Sequence, residues 1–360
     1  MPKRLSGIDA ISPAFERTKN QLFAPFRFGH WIRLAIVCIL TGEVTGGGGG
    51  LGGRSGLNLP THRTHPGNGF PLDSAFHPHQ EVLLWMALAI VALVLLMLVF
   101  VYVSSVFRFV LFDAVLYNRC KLREGWWLWQ RQGSSYFLWQ IGFGLASLLA
   151  MAVVVGVPVL AAWRAGMFQN PDKHLAALIL GGIGVFLLFL VVLALSALGT
   201  LFAKDFVVPV MAIENLGVLD GWRRALPMLG WEKGAYAFYV VMKIILAIGC
   251  ALLFGIIDFI VVFAMLIPIG LAGVAAYFFA KGAGMTWNPL TIGAVIVAGA
   301  VVVILFLVVI GFISTPAMVF FQAYSMHFFG SRYPPLGVVL TPPENPPVAP
   351  PAAPAPAPIT

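Results

Sequence analysis

The chain has 360 residues, of which 60% are hydrophobic and only 10% are charged, and its mean hydropathy is +0.92. Soluble domains carry roughly 25% charged residues, so this composition excludes an ordinary soluble globular protein. The net charge of +8 does not indicate nucleic-acid binding, because the sequence offers no soluble basic domain. It favours a membrane protein that contacts anionic lipid headgroups.

The first 28 residues are basic and amphipathic, because lysines and arginines alternate there with phenylalanines. We predict that segment 1–28 lies at the cytoplasmic surface of the membrane as a helix or turn. This segment has no apolar h-region, so we expect no cleavable signal peptide. The first apolar helix then serves as an uncleaved signal anchor.

Long apolar runs predict a polytopic transmembrane domain over 29–332, because a bilayer span needs about 20 apolar residues. The first span is the weakest, since His30, Arg33 and Glu43 interrupt it. We predict six spans, at about 29–45, 81–107, 134–163, 174–203, 235–263 and 289–327.

Two segments are too polar or too rich in proline to span. Residues 46–80, rich in glycine and histidine, predict a flexible outer loop. Residues 333–360, rich in proline and alanine, predict a disordered tail with polyproline character.

The region 235–287 leaves two topologies open. It is apolar for about 45 residues, which suits either one span and an outer helix or two spans, and Pro268 marks a break. In the six-span topology, basic residues are in roughly threefold excess on the inner segments, as the positive-inside rule expects. Seven spans would only move Arg332 outside and Lys281 inside. We favour six spans, with both termini in the cytoplasm of a bacterial cell and the chain in its inner membrane.

An internal repeat supports the even count. Arg123-Glu124-Gly125-Trp126 resembles Leu219-Asp220-Gly221-Trp222, and an aromatic run follows each, at 136–139 and at 236–239. The unit would be an interfacial helix, a span, an outer link and a second span, so three units give six spans. We therefore predict an all-α bundle of three helical hairpins with interfacial helices on the inner face. Glycines are expected at close helix contacts, namely Gly142, Gly144, Gly181, Gly182 and Gly184.

Four tryptophans are predicted to anchor the chain at the membrane interface, because tryptophan favours the headgroup level. They are Trp31, Trp126, Trp139 and Trp222.

The sequence resembles poorly characterised bacterial multi-pass families, including the membrane domain found beside glycerophosphodiester phosphodiesterases. The similar residues are Ile11-Ser12-Pro13-Ala14-Phe15, Leu22-Phe23-Ala24-Pro25-Phe26 and Trp31. The resemblance covers most of the chain, which has no soluble phosphodiesterase domain. It implies a membrane architecture and a bacterial origin rather than an enzymatic activity.

The outer loop carries the best pattern for a metal ion. The spacings His-x-x-His and His-x-His can bind zinc or copper, and they occur at His62, His65, His77 and His79. They lie in a proline-rich segment that is a poor preformed site, so an ordinary polar loop is the favoured interpretation.

Ionisable residues inside spans are candidates for a transport role. Asp258 is the best of them, because it lies deep in the predicted fifth span. Lys243 and Glu43 lie nearer span ends, where snorkelling accounts for them. Asp113 and Asp205 lie near inner helix ends and close to basic residues.

No serine-hydrolase, metalloprotease or nucleotide-binding motif occurs in a supporting context. We therefore expect a non-enzymatic scaffold, accessory or lipid-organising protein without a cofactor. Its expected partners are membrane lipids, a membrane protein or both, and not nucleic acid. A small-solute or lipid transporter that uses Asp258 is the alternative, and a membrane enzyme is disfavoured.

Overall fold

The computed structural model of the protein describes residues 4–24, 27–42, 80–169, 171–282 and 289–340, and within these ranges all regular structure is helical. A π-helical turn, Ala203–Val207, joins α5 to α6. The α-helices are α1 (Ile11–Leu22), α2 (Phe28–Leu40), α3 (Gln80–Tyr117), α4 (Leu122–Arg164), α5 (Pro171–Phe202), α6 (Val208–Glu214), α7 (Val218–Trp231), α8 (Lys233–Gly282), α9 (Pro289–Gly330) and α10 (Pro334–Leu340).

Five of these helical stretches are long and apolar enough to cross a bilayer. They confirm the prediction of an all-α polytopic bundle, and the chain is an integral membrane protein. The stretches are Leu84–Tyr117, Leu122–Arg164, Lys173–Glu214, Lys233–Gly282 and Gly293–Gly330. The predicted first span, 29–45, overlaps α2, which has 13 residues and ends at Leu40. This helix is shorter than the roughly 20 residues that a span needs.

Two predicted breaks are absent from the helices. The predicted interfacial segment before Ser134 and the span after it form one helix, α4, of 43 residues. The ambiguous region after Lys233 forms α8, which continues through Pro268 to Gly282. Transmembrane helices tolerate an internal proline, because local adjustments satisfy the backbone groups that it frees. The single helix agrees with one span in this region rather than two.

The packing of the bundle is concentrated at one end, which we call the packed end. There the C-terminal parts of α3 and α9 and the junction of α5 with α6 form a core of buried aromatic and aliphatic side chains. The buried segments are centred on Phe109, Phe206 and Tyr324. The remaining halves of α3, α4, α5, α8 and α9, which we call the open halves, expose most of their large apolar side chains.

The interfacial helices follow the predicted repeat. α1 packs on α9, the first turns of α4 pack on α3, and α7 packs on the π-helical turn and α6. A Cβ atom at Gly125 would lie 3.2 Å from Val110 Cγ1, and one at Gly221 would lie 2.9 Å from Val207 Cγ1. The glycine before each repeated tryptophan therefore lets an interfacial helix approach the preceding helix closely. Each repeat unit packs on the unit before it. The contact of α1 with α9 brings the first unit against the last.

The segment before α1 also helps to hold the first unit against the last. Tyr324 on α9 donates a hydrogen bond from Oη to the carbonyl oxygen of Gly7 at 3.0 Å. Arg332 donates from Nη1 to the carbonyl oxygen of Leu5 at 2.8 Å. Trp31 on α2 stacks on Phe312 of α9, with ring centroids 5.4 Å apart. The first and last hairpins are therefore joined by both polar and aromatic contacts.

The first residues of the predicted disordered tail, 333–360, are ordered. Residues 334–340 form α10, in which Leu336 is fully buried, and Tyr333 before it is also buried. Leu336, Val339 and Leu340 pack against the core at the end of α9, so this part of the predicted tail belongs to the fold. Residues 341–360 and most of the predicted outer loop lie outside the described residues.

The expected role of the span glycines is not seen within the monomer. A Cβ atom added at any of them would meet no other atom within 4 Å. These glycines are Gly142, Gly144, Gly181, Gly182 and Gly184. Close helix approach occurs instead nearer the packed end, at Gly199 beside Phe143 and at Gly133 beside Val106.

Two glycines of α4 provide a test of this packing. A Cβ atom at Gly133 would lie 2.6 Å from Val106 Cγ2 and 3.0 Å from its Cα, whereas one at Gly142 meets nothing within 4 Å. We predict that Gly133→Ala lowers the free energy of unfolding by about 1–3 kcal/mol through overpacking. Gly142→Ala, the matched control, should be neutral or slightly stabilising. Thermal unfolding in detergent measures both, and equal midpoints for the two variants would contradict the packing.

Candidate functional site

The strongest polar site in the bundle begins at the π-helical turn between α5 and α6. Such turns are rare and often occur at functional sites, because they shift side chains out of the α-helical register. This turn contains Asp205, which is 6% exposed and is followed in sequence by buried residues from Phe206 to Met211. A buried carboxylate of this kind requires partners.

Two residues of α8 supply them. Lys243 Nζ lies 2.8 Å from Asp205 Oδ1 and 2.6 Å from Oδ2, and it donates to both oxygens. Tyr239, one turn earlier on α8, donates from its hydroxyl to Oδ2 at 2.9 Å. Lys243 is 5% exposed and Tyr239 is fully buried. We call Asp205, Tyr239 and Lys243 the acid–lysine cluster.

Aromatic side chains enclose the acid–lysine cluster and connect it to α9. The ring of Tyr239 stacks on Tyr324, with centroids 5.2 Å apart and planes 9° apart, and on Phe328 at 4.4 Å. Phe206, beside Asp205, contacts Tyr239 at 5.3 Å. The cluster thus joins the π-helical turn, α8 and α9, and Tyr324 extends the connection to Gly7.

The chemistry of the acid–lysine cluster suits a buried contact that holds helices in one arrangement, which we call a lock. Both carboxylate oxygens of Asp205 accept hydrogen bonds, and the formal charges of Asp205 and Lys243 cancel. A buried pair with excellent geometry specifies which helices meet, and loss of one partner leaves an uncompensated charge.

A second set of ion pairs lies at the rim of the packed end. Arg332 donates from Nε to Glu232 Oε2 at 2.9 Å, and Arg4 contacts the other oxygen of the same carboxylate. Tyr333 donates to Glu214 Oε1 at 2.5 Å. Burial, and then the hydrogen bond to Glu214, raise the pKa of Tyr333. These contacts fasten both terminal segments of the described chain to the ends of α6 and α7.

Contacts between α4 and the start of α7 hold the middle repeat in place. Gln132 on α4 donates to the side-chain oxygen of Asn215, which has a left-handed backbone with φ of 56°. The backbone N–H of Val218 donates to Ser135 Oγ at 3.1 Å. Because α7 has no side-chain cap of its own, Ser135 of α4 satisfies one of its free N–H groups.

The predicted assignment of Lys243 to snorkelling is wrong. Its side chain is buried and binds Asp205 rather than reaching the interface. The two residues are 38 positions apart, and the sequence placed each near a span end without pairing them. The available signal was an acid on one span and a base on the next, both near the same end and in largely apolar surroundings.

Asp258 lies on α8 away from the acid–lysine cluster. Its Oδ1 atom is buried and has no hydrogen-bond partner among the described residues. Its neighbours Ile257 and Phe259 are exposed, at 39% and 69%. The structure therefore gives Asp258 no polar cluster in the described part of the chain, and its proposed transport role stays a prediction.

The predicted metal site in the outer loop is not tested by the structure. The histidines His62, His65, His77 and His79 lie outside the described residues, and within the described ranges no group of three or more metal-ligating side chains occurs.

The predicted tryptophan anchors all take part in aromatic contacts. Trp31 is buried against Phe312, Trp126 contacts Tyr102 and Phe107, and Trp139 contacts Trp222. Trp127 and Trp231 are far more exposed, at 67% and 85%, and sequence reasoning did not single them out.

Comparison with known families identifies the chain. It belongs to the family of unknown function DUF7544, which matches residues 5–339. Neither the curated proteins nor the solved structures include a match. The family match does not connect the chain to the membrane domain found beside glycerophosphodiester phosphodiesterases.

Substitution of the acid–lysine cluster tests its role as a lock. We predict that Lys243→Met lowers the free energy of unfolding by about 3–5 kcal/mol, because it leaves Asp205 buried without its ion pair. The double variant Asp205→Leu, Lys243→Met should recover most of this loss. The control Asp220→Asn breaks an exposed pair with Arg223 and should cost less than about 1 kcal/mol. Thermal unfolding in detergent measures all three, and a double variant no more stable than Lys243→Met would contradict the lock.

Proposed function

We propose that the protein is a non-enzymatic membrane scaffold that organises lipids between its helices. The observation that carries this proposal is the contrast between the packed end and the open halves. The most apolar windows of α3, α4, α5 and α8 contain no residue buried within the monomer, and that of α9 is 6% buried.

Bilayer physics gives this contrast a functional meaning. Inside the hydrocarbon core, helices associate through van der Waals packing and hydrogen bonds rather than through the hydrophobic effect. At Gly142, Gly156 and Gly181 in the open halves no neighbouring helix packs closely, because nothing lies within 4 Å of an added Cβ atom. Lipid acyl chains supply the missing contacts in a bilayer, and the packed end fixes how the helices that hold them are spaced.

The acid–lysine cluster favours a scaffold over an enzyme or a transporter. Its carboxylate accepts hydrogen bonds from Lys243 and Tyr239, so this buried charged group contributes to the structure. A transporter that uses Asp258 is the second candidate, and the observation that favours it is the buried Oδ1 atom without a described partner. Transport sites usually combine several such groups, and Asp258 makes no described polar contact.

The distribution of basic residues and the sequence resemblance bear on the orientation and the origin of the protein. The excess of lysine and arginine on the segments that form the packed end favours a cytoplasmic position for this end in a bacterial inner membrane. The resemblance to the membrane domain found beside glycerophosphodiester phosphodiesterases is compatible with a role in a lipid environment.

Purification in a mild detergent through a C-terminal tag, followed by native mass spectrometry, tests the scaffold. We predict that the protein retains lipid molecules, because the open halves offer apolar surface that the monomer does not cover. Gly181→Phe combined with Gly184→Phe fills part of this surface and should reduce the number of retained lipids at an unchanged thermal midpoint. A protein that retains a stoichiometric protein partner and no lipid would contradict lipid organisation and favour an accessory subunit.

Cysteine labelling tests the orientation. Burial raises the pKa of the Cys120 thiol to about 11, so this native cysteine should stay protonated and react slowly at pH 8. We predict that a membrane-impermeant maleimide added to intact cells labels Lys281→Cys, at the end of α8 away from the packed end. Arg123→Cys, at the packed end, should react only after permeabilisation. The reverse pattern would place the packed end outside.

A further inference from the structure

Two adjoining cavities lie beside α1 at the packed end. The larger, of about 480 Å³, lies between the end of α1, the start of α2 and the turn after α3. The smaller, of about 390 Å³, extends along α1 toward α9. Asn20, Gln21 and Asn118 line both cavities, which therefore share a wall. They form one recess outside the acid–lysine cluster and away from Asp258.

The larger cavity is positively charged. Arg27 and Arg33 both line it, with His30 between them in sequence. Both arginines are exposed, and within the described ranges neither side chain forms an ion pair with a carboxylate. Two free guanidinium groups on one cavity attract an anion that can accept several hydrogen bonds, such as a phosphate.

The start of α2 adds backbone donors at the same place. Arg27 occupies the N-cap position, and no side chain caps the helix. Gly29, in the first turn, lines the cavity, and a Cβ atom there would meet nothing within 4 Å. The first N–H groups of a helix lack partners within it and carry the positive end of its dipole. They therefore favour an anion beside the two arginines.

Two polar atoms of residues that line the recess have no described hydrogen-bond partner. Gln21 is 6% exposed, and its Nε2 donates to the carbonyl oxygen of Ala114 at 2.9 Å. Its Oε1 atom is buried and has no partner among the described residues, and the same holds for His30 Nε2. A buried acceptor without a donor is costly. A phosphate diester has only acceptors, whereas a headgroup that also carries hydroxyl groups can donate to Gln21 Oε1.

From these contacts we infer that the recess binds the headgroup of phosphatidylglycerol, an anionic phosphate diester with free hydroxyls. The phosphate accepts hydrogen bonds from Arg27, Arg33 and the first turn of α2. The glycerol hydroxyls reach Gln21 Oε1 and His30 Nε2 once these two side chains turn toward the recess. An ethanolamine or choline headgroup would bring a cation beside two arginines and is disfavoured. This inference rests on the proposed lipid-organising function and names the lipid class at one site.

Lipid retention from vesicles of stated composition tests the site. The protein is reconstituted in phosphatidylcholine mixed with an equal part of phosphatidylglycerol, extracted in mild detergent and analysed by native mass spectrometry. We expect retention of phosphatidylglycerol over phosphatidylcholine and a roughly tenfold loss of that preference in Arg27→Gln, Arg33→Gln. The control Arg123→Gln, Arg131→Gln removes the same charge from exposed positions on α4 and should keep the preference. Equal losses in the two double variants would overturn the site in favour of diffuse electrostatic attraction.

A second comparison tests the hydroxyl contacts. Phosphatidylmethanol has the same charge as phosphatidylglycerol and no headgroup hydroxyl, so it should be retained less. Gln21→Met should abolish the difference between these two lipids while it keeps both above phosphatidylcholine. Equal retention of the two by the native chain would overturn the hydroxyl contacts.

Excess inorganic phosphate should leave the lipid bound, and displacement would assign the recess to a free anion instead. Unselective retention of lipid overturns only this site, whereas retention of no lipid also overturns the scaffold function.

Discussion

The ion pair between Asp205 and Lys243 is the contact on which the arrangement of the packed end depends. It places a charge of each sign in a region enclosed by aromatic rings, and Tyr239 completes the hydrogen bonding of the carboxylate. Tyr239 stacks on Tyr324, which in turn binds the carbonyl oxygen of Gly7. One buried pair thus determines how α8 meets the π-helical turn, and through α9 how the first hairpin meets the last. Because buried charges tolerate few alternative partners, the pair specifies a single arrangement.

The remainder of the bundle follows from the difference between the two ends. At the packed end, interfacial helices and glycines at 125 and 221 bring backbones close together, and hydrogen bonds fix the register. In the open halves, apolar helices face a solvent as apolar as themselves, so burial against one another brings little gain. α8 has 50 residues and would be about 75 Å long if straight, well beyond the roughly 30 Å of a hydrocarbon core. A rigid end that holds long, separated helices suits a protein that surrounds and positions lipids, and the recess near Arg27 and Arg33 adds a polar contact for a headgroup at the same end.

Much of the fold could be predicted from the sequence, because apolar run length is a direct consequence of bilayer thickness. The five long helical stretches and the repeat of Gly125-Trp126 and Gly221-Trp222 were both readable. The packing of α2 on α9 and the order of residues 334–340 were not, since both involve tertiary contacts with α9. The acid–lysine cluster was missed for a related reason. Sequence spacing shows which residues share a helix face, but not which faces meet across 38 positions. Asp258 is conspicuous in the sequence because it stands alone in an apolar run. The residues that do pair lie near helix ends, where snorkelling or nearby basic residues account for a charged side chain more simply.

The central claim is that the packed end is rigid and the open halves are held apart by lipid. Distance distributions from pulsed electron paramagnetic resonance in lipid nanodiscs test this most directly, on a background without the native cysteines. One spin-label pair at the packed end, Glu124→Cys with Asp220→Cys, should give a narrow distribution that does not change with lipid composition. A second pair at the far ends of α4 and α8, Trp163→Cys with Lys281→Cys, should give a broader distribution that shifts with acyl-chain length. A second pair as narrow as the first and insensitive to lipid would contradict the account, because the open halves would then be packed by the protein itself.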